Sequence, residues 1–142
     1  MAQSISLSAS DLRTIIDHAR SVLPEEACGF VAGQGRTARA ILPVTNRLHS
    51  QVRFEMEPQQ QFKAMLWIEE NGLEILAIYH SHPGGPGVPS QTDIAEFYFP
   101  EALCLIVSPV GSEWQARAFQ IDQDRFEELT VINRVNNSVS GG

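Results

Sequence analysis

One run of sequence sets most of what this chain can become: Ile75-Leu76-Ala77-Ile78-Tyr79, followed at once by His80-Ser81-His82-Pro83 and a Gly-Gly-Pro-Gly loop. A short, unbroken apolar run ahead of turn residues reads as a buried strand. Pro83 and the glycines after it stop that strand and open a loop. Side chains alternate faces along a strand, so His80 and His82 point one way and Ser81 the other. Both rings can then converge on one ion at the strand end. Ser90 and Asp93 open a short helical segment over 90–97 whose first turn folds back toward the histidines. Two imidazoles, a hydroxyl and a carboxylate within fourteen residues are most of a catalytic zinc site. Two His and one Asp leave the fourth tetrahedral position open to water, which separates a catalytic zinc site from a closed structural one.

His80-x-His82, seven intervening residues, then Ser90-x-x-Asp93 resembles the motif of the JAMM (MPN-plus) metalloprotease family. The family also carries an upstream Glu-x-x-Gly followed by apolar residues and another Gly. Here that segment reads Glu26-Ala27-Cys28-Gly29-Phe30-Val31-Ala32-Gly33. Asn46, the Arg53-Phe54 pair before Pro58 and the order of elements agree as well. The resemblance spans roughly residues 5–120. It implies a single MPN-type α/β (α+β) domain, a curved mixed sheet flanked by helices. It further implies one catalytic Zn2+ held by His80, His82 and Asp93, with Glu26 as general acid/base and Ser90 supporting the oxyanion.

Each of these residues also has a plainer use. An isolated His-x-His at a strand end is usually a pair of loop-edge histidines; the matched Ser-x-x-Asp and upstream Glu favour ligation. Ser90 to Asp93 is also a capping box, with Ser90 as N-cap, so metal and helix start compete for the Asp93 carboxylate oxygens. Of the adjacent Glu25 and Glu26, the Glu-x-x-Gly register selects Glu26. His18, expected on a helix surface, and His49 are assigned no metal. Cys28 and Cys104 lie in apolar runs and read as buried thiols of a reducing compartment rather than a disulfide framework.

Length and composition fit one globular domain over residues 1–135, with 136–142 an expected disordered tail. That tail ends in Gly141-Gly142, for which a flexible terminus is the expected reading. At 43% hydrophobic and 19% charged residues, the chain sits with ordinary soluble proteins. No apolar run is long enough for a transmembrane helix, and the N-terminus lacks the pattern of a signal peptide, so a cytoplasmic protein is expected. The net charge of -7, without a basic face, argues against nucleic acid as partner.

Along the chain, the pattern predicts a short edge strand at 5–7, then a helix from Ser10-Asp11 that Pro24 ends. Strands follow at 28–33 and 37–42 around Gln34-Gly35, and a short one at 52–56. A helix spans 58–70, the motif strand 74–80, and two strands 102–108 and 114–121. Residues 125–135 suit either helix or strand.

The resemblance to compact prokaryotic members implies a peptidase or isopeptidase cutting after the C-terminal Gly-Gly of a ubiquitin-like or sulfur-carrier protein. Two other readings differ in kind. One is a non-catalytic MPN protein-binding module, whose family counterparts have usually lost ligands retained here. The other is the DNA-repair-associated branch, which the acidic balance disfavours. A homodimer is compatible with the family, although no interface is legible in the sequence.

Overall fold

A computed structural model describes residues 4–134. The strands are β1 (Ser4–Ser8), β2 (Cys28–Gln34), β3 (Thr37–Val44), β4 (Glu74–Ser81), β5 (Leu103–Val110), β6 (Glu113–Asp122) and β7 (Arg125–Arg134). The helices are α1 (Ala9–Ser21), α2 (Pro58–Glu70) and α3 (Gln91–Ala95). α1 starts just before the predicted Ser10 because Ser8 caps it. The Ser8 side chain accepts the Asp11 N–H while the Asp11 carboxylate accepts the Ser8 N–H. Ile15 and Ala19, one turn apart, are its buried positions. α2 opens on Pro58 and closes at Asn71-Gly72, where Gly72 takes a φ of 68°.

The strands run in the order β1-β3-β2-β4-β5-β6-β7, and β7 returns to β1. The sheet is mixed: β1 lies parallel to both β3 and β7, and β4 parallel to β5, while the remaining pairs are antiparallel. The expected curvature therefore runs on to closure. β1 is not an edge strand, because it is paired on both sides.

Alternation along β4 sorts its side chains into separate apolar groups. Ala77 and Tyr79 join Ile5, Leu7, Val31 and Leu105, with Ile15 and Ala19 of α1 over them. Ile78 joins Cys28, Phe30 and Ile68 of α2. His80 and His82 share the parity of Ile78, so the histidines emerge on the α2 side at the end of the strand.

Gly29 explains the Gly of Glu-x-x-Gly. It pairs with Tyr79, and a Cβ there would meet the Leu42 carbonyl oxygen and the Tyr79 ring, each at 2.5 Å.

Three local expectations change. Residues 52–56 form no strand; a single bridge joins Asn46 and Met56, because the Asn46 side chain takes the Leu48 and Glu55 N–H groups that a ladder would use. The ambiguous 125–135 segment is strand as far as Arg134, since β6 and β1 both pair with it. The helix expected over 90–97 is shorter, ending at a C-cap on Glu96. The tail 136–142 lies outside the described residues.

Candidate active site

His80 reaches the site from the end of β4, opposite Cys28 of β2. His82 follows, its N–H donating to the Val107 carbonyl of β5 at 2.9 Å. Ser81 faces away, as alternation requires, and its oxygen accepts the Ala27 N–H at 2.8 Å while its own N–H donates to the Ala27 carbonyl at 3.1 Å. This double contact fixes the chain beside Glu26. Glu26, 3% exposed, thus enters the site from the approach to β2.

The ligand-type atoms of Glu26, His80 and His82 all lie within 4.8 Å of one another, a buried cluster able to coordinate a metal ion. Asp93 joins the histidines from α3. Its Oδ2 is 3.0 Å from His82 Nε2 and 3.2 Å from His80 Nε2, and the two Nε2 atoms are 3.0 Å apart. The same Oδ2 accepts the Ser90 N–H at 2.9 Å, and Ser90 Oγ accepts the Asp93 N–H at 3.0 Å. The capping box is therefore real, and one oxygen serves it while also facing both rings. Ser90 touches the cluster only through Asp93 and is itself exposed.

The two carboxyls are tuned in opposite directions. Burial pushes Glu26 up to about 8, with His82 opposing and Asp93 adding to the rise. Burial also works against the Asp93 charge, but the His80 and His82 hydrogen bonds outweigh it and hold this carboxyl well below the usual carboxylate range. His80 is lowered by burial, with Asp93 opposing. Burial acts the same way on His82, yet Asp93 and the Pro86 carbonyl outweigh it and raise its pKa. Glu26 Oε1 is buried without a hydrogen-bond partner among the described residues. A carboxyl held near neutrality and an acid kept ionised, both beside imidazoles, suit proton transfer next to a cation.

Several contacts at the site had little or no local signal in the sequence. Pro86, in the glycine loop, accepts from His82 Nδ1 at 2.8 Å. Phe54 stacks on His80, and Asn46 bonds the Glu26 carbonyl at 3.1 Å. The match to the family motif drew attention to both residues without giving either a role. A cavity of about 240 Å³ adjoins His80 and Asp93, walled by Phe54, Met56, Phe97 and Phe99. One surface expectation also changes. His18 turns inward, its Nδ1 2.7 Å from the hydroxyl of fully buried Tyr79, and burial lowers its pKa. Glu25 pairs with His49 at 3.0 Å. Cys28 and Cys104 are buried free thiols. No helix among the described residues is long and apolar enough to cross a membrane.

A mixed sheet flanked by helices, with paired histidines at a strand end, an aspartate on the next helix and a buried upstream glutamate, defines an MPN-type metalloprotease domain. The chain belongs to the prokaryotic homologs of the JAB domain, whose pattern it matches over residues 8–122. It is 35% identical over 134 residues to a desampylase of Haloferax volcanii, covering 89% of this chain and 94% of that protein. It is 31% identical over 104 residues to a CysO-cysteine peptidase of Mycobacterium tuberculosis, covering 72% and 71%. A solution structure from Desulfitobacterium hafniense superposes with a TM-score of 0.85 at 30% identity, covering 93% of this chain and 94% of that one. A JAB1/MPN domain protein from Archaeoglobus fulgidus, at 19% identity, shares the fold with a TM-score of 0.57, covering 93% and 100%.

Proposed function

We propose that this chain is a zinc-dependent peptidase or isopeptidase that hydrolyses the amide bond after the C-terminal Gly-Gly of a ubiquitin-like, sulfur-carrier-type protein. The observation that carries the proposal is the buried triangle of two Nε2 atoms and Asp93 Oδ2, with edges of 3.0 to 3.2 Å, next to a Glu26 Oε1 that has no hydrogen-bond partner among the described residues. Tetrahedral ligands at about 2.0–2.1 Å from zinc lie roughly 3.3 Å from one another, so the triangle fits that ion with little adjustment. Nitrogen and carboxylate donors also suit zinc.

His80, His82 and Asp93 are the residues that would hold the metal. A zinc ion held there would supply Lewis acidity, lowering the pKa of a water toward roughly 7 and polarising a carbonyl. Glu26 accepts the proton of the attacking water and returns it to the leaving amine. The Ser90 oxygen is occupied by the Asp93 N–H, which leaves the hydroxyl hydrogen free for the substrate oxygen as negative charge builds there.

Gly-Gly is favoured because a tail without side chains can approach a buried centre closely. The names desampylase and CysO-cysteine peptidase, carried by two relatives, are in keeping with such a substrate. We place the reaction in the cytoplasm, where both cysteines stay reduced. Every residue invoked comes from one chain, so the reading does not need a homodimer. Retention of all five residues favours catalysis over a binding-only module.

The test is intact-mass analysis of a sulfur carrier bearing a residue or short peptide beyond its Gly-Gly, incubated with zinc-loaded protein. Wild type should release the extension. Glu26→Gln should keep zinc and lose turnover, and His82→Ala should lose both. Turnover by zinc-loaded Glu26→Gln would remove Glu26 from its role. No cleavage of any carrier adduct by the loaded wild type would overturn the substrate assignment.

A further inference from the structure

The two histidines are oriented by different means. His82 is fixed at both ring nitrogens, since Nε2 faces Asp93 and Nδ1 donates to the Pro86 carbonyl. The matching nitrogen of His80, Nδ1, is buried with no hydrogen-bond partner among the described residues. A metal-binding imidazole is ordinarily held by a hydrogen bond at its second nitrogen, which sets both tautomer and ring plane. His80 has a ring against it instead. Phe54 lies nearly parallel to the imidazole, with centroids 4.7 Å apart and planes 26° from coplanar. That is the geometry of an attractive stacked pair.

Phe54 lies in no strand or helix, so something else must hold it still. The backbone on both sides of it is tied to one side chain. Asn46 Nδ2 donates to the Arg53 carbonyl at 3.0 Å, and Asn46 Oδ1 accepts the Glu55 N–H at 3.1 Å. The same Nδ2 also reaches the Glu26 carbonyl, and Oδ1 takes the Leu48 N–H. The amide of Asn46 is thus used on every side. Arg53 adds a tie to α3, its Nε donating to Glu96 at 3.1 Å. A loop residue framed this closely can act as a rigid wall.

We propose that Phe54 is a positioning residue for His80: its ring, carried on a loop clamped by Asn46, sets the plane of an imidazole whose Nδ1 has no hydrogen bond among the described residues. This rests on the reading of His80 as a metal ligand. Phe54 is half-buried at the margin of the Cys28, Phe30 and Ile78 cluster, so a replacement that keeps apolar bulk there separates the loss of the ring face from a loss of packing.

The experiment compares wild type with Phe54→Leu, which keeps apolar bulk without a ring face, and Phe54→Tyr, which keeps the face. Zinc dissociation constants come from competition with a chromophoric chelator. Imidazole 15N–1H spectra of the metal-free proteins follow the two site histidines directly. Phe54→Leu should weaken zinc binding about 10- to 100-fold, the usual cost of losing an outer-shell partner. Phe54→Tyr should stay within about twofold of wild type. In the metal-free Phe54→Leu protein the His80 resonances should broaden or shift while those of His82 hold. Wild-type zinc affinity in Phe54→Leu, with only KM raised, would overturn the proposal and make Phe54 a wall of the substrate cavity. If wild type itself takes up no zinc, the metal-site reading fails, and unchanged His80 resonances in Phe54→Leu would separately refute the positioning role.

Discussion

Glu26 and Asp93 show how far a side chain's behaviour depends on which neighbours reach it. Both are buried beside the same histidines, yet one is pushed up to about 8 and the other held far down. The difference is hydrogen bonding: Asp93 accepts from two rings and a backbone N–H, while one Glu26 oxygen has no partner among the described residues. This has a measurable sign. In the metal-free protein the folded chain binds the Glu26 proton more tightly than the unfolded chain, so that group's contribution to stability falls as pH rises from about 4.5 toward 8. Glu26→Gln has no such proton to lose. Urea unfolding in chelator should show the variant gaining on wild type by roughly 2–4 kcal/mol between pH 5 and 8. A gap that does not move with pH would contradict the assignment. The convergence of His80, His82 and Asp93 was legible because two same-face positions at a strand end and the first turn of the next helix fix it by spacing alone. The contacts of Phe54 and Asn46 were not, because they join segments far apart in sequence. His18 was misplaced for a related reason. Its helical position suggested the surface, whereas the buried Tyr79 hydroxyl calls for a partner that only the fold supplies.

Among the elements, β2 carries the most constraint, since β3 and β4 pair with its two edges and Cys28–Gly33 are buried throughout. Gly29→Ala places a methyl group against the Leu42 carbonyl and the Tyr79 ring. It should cost about 2–4 kcal/mol of unfolding free energy, as overpacking with an immovable backbone oxygen on one side. A chemical denaturation midpoint unchanged from wild type would mean that β2 and β3 separate more easily than their register suggests. The longer elements could be read from the sequence because period and punctuation agreed: 3.6-residue spacing in α1, Pro58 and Gly72 around α2, and unbroken apolar runs in β2, β4 and β5. Short or two-sided segments could not. At 52–56 the composition suits a strand, but a single asparagine side chain claims N–H groups on which pairing depends. At 125–134 the helical spacing of Phe126, Leu129 and Ile132 competed with strand propensity, and pairing on both sides decided the outcome.

At the scale of the molecule, closure has one thin seam. β1 and β3 share a single register pair, Ser6 with Thr37, whereas β1 and β7 run together for five. Arg134, the last residue of β7, spans that seam: its guanidinium donates to the Ser6 carbonyl and Ala38 carbonyl at 2.8 Å each and to Ser6 Oγ at 3.1 Å. Arg134→Ala should lower stability by about 2–3 kcal/mol, since hydrogen bonds from a charged donor are lost and their acceptors are left in place. Peptidase turnover well below the melting temperature should be unaffected, because the seam lies on strands that carry none of the site residues. Loss of turnover at full folding would show that closure is coupled to the site. The site itself is divided unevenly along the chain. His80, His82 and Asp93 belong to one short stretch, while Glu26 arrives only when β2 docks against β4. The three donors on β4, the turn after it and α3 are thus separated in sequence from the carboxyl that the same site places beside them. On the proposed assignment, metal content reports on His80, His82 and Asp93 alone, and so does not count the molecules in which Glu26 is in place to act.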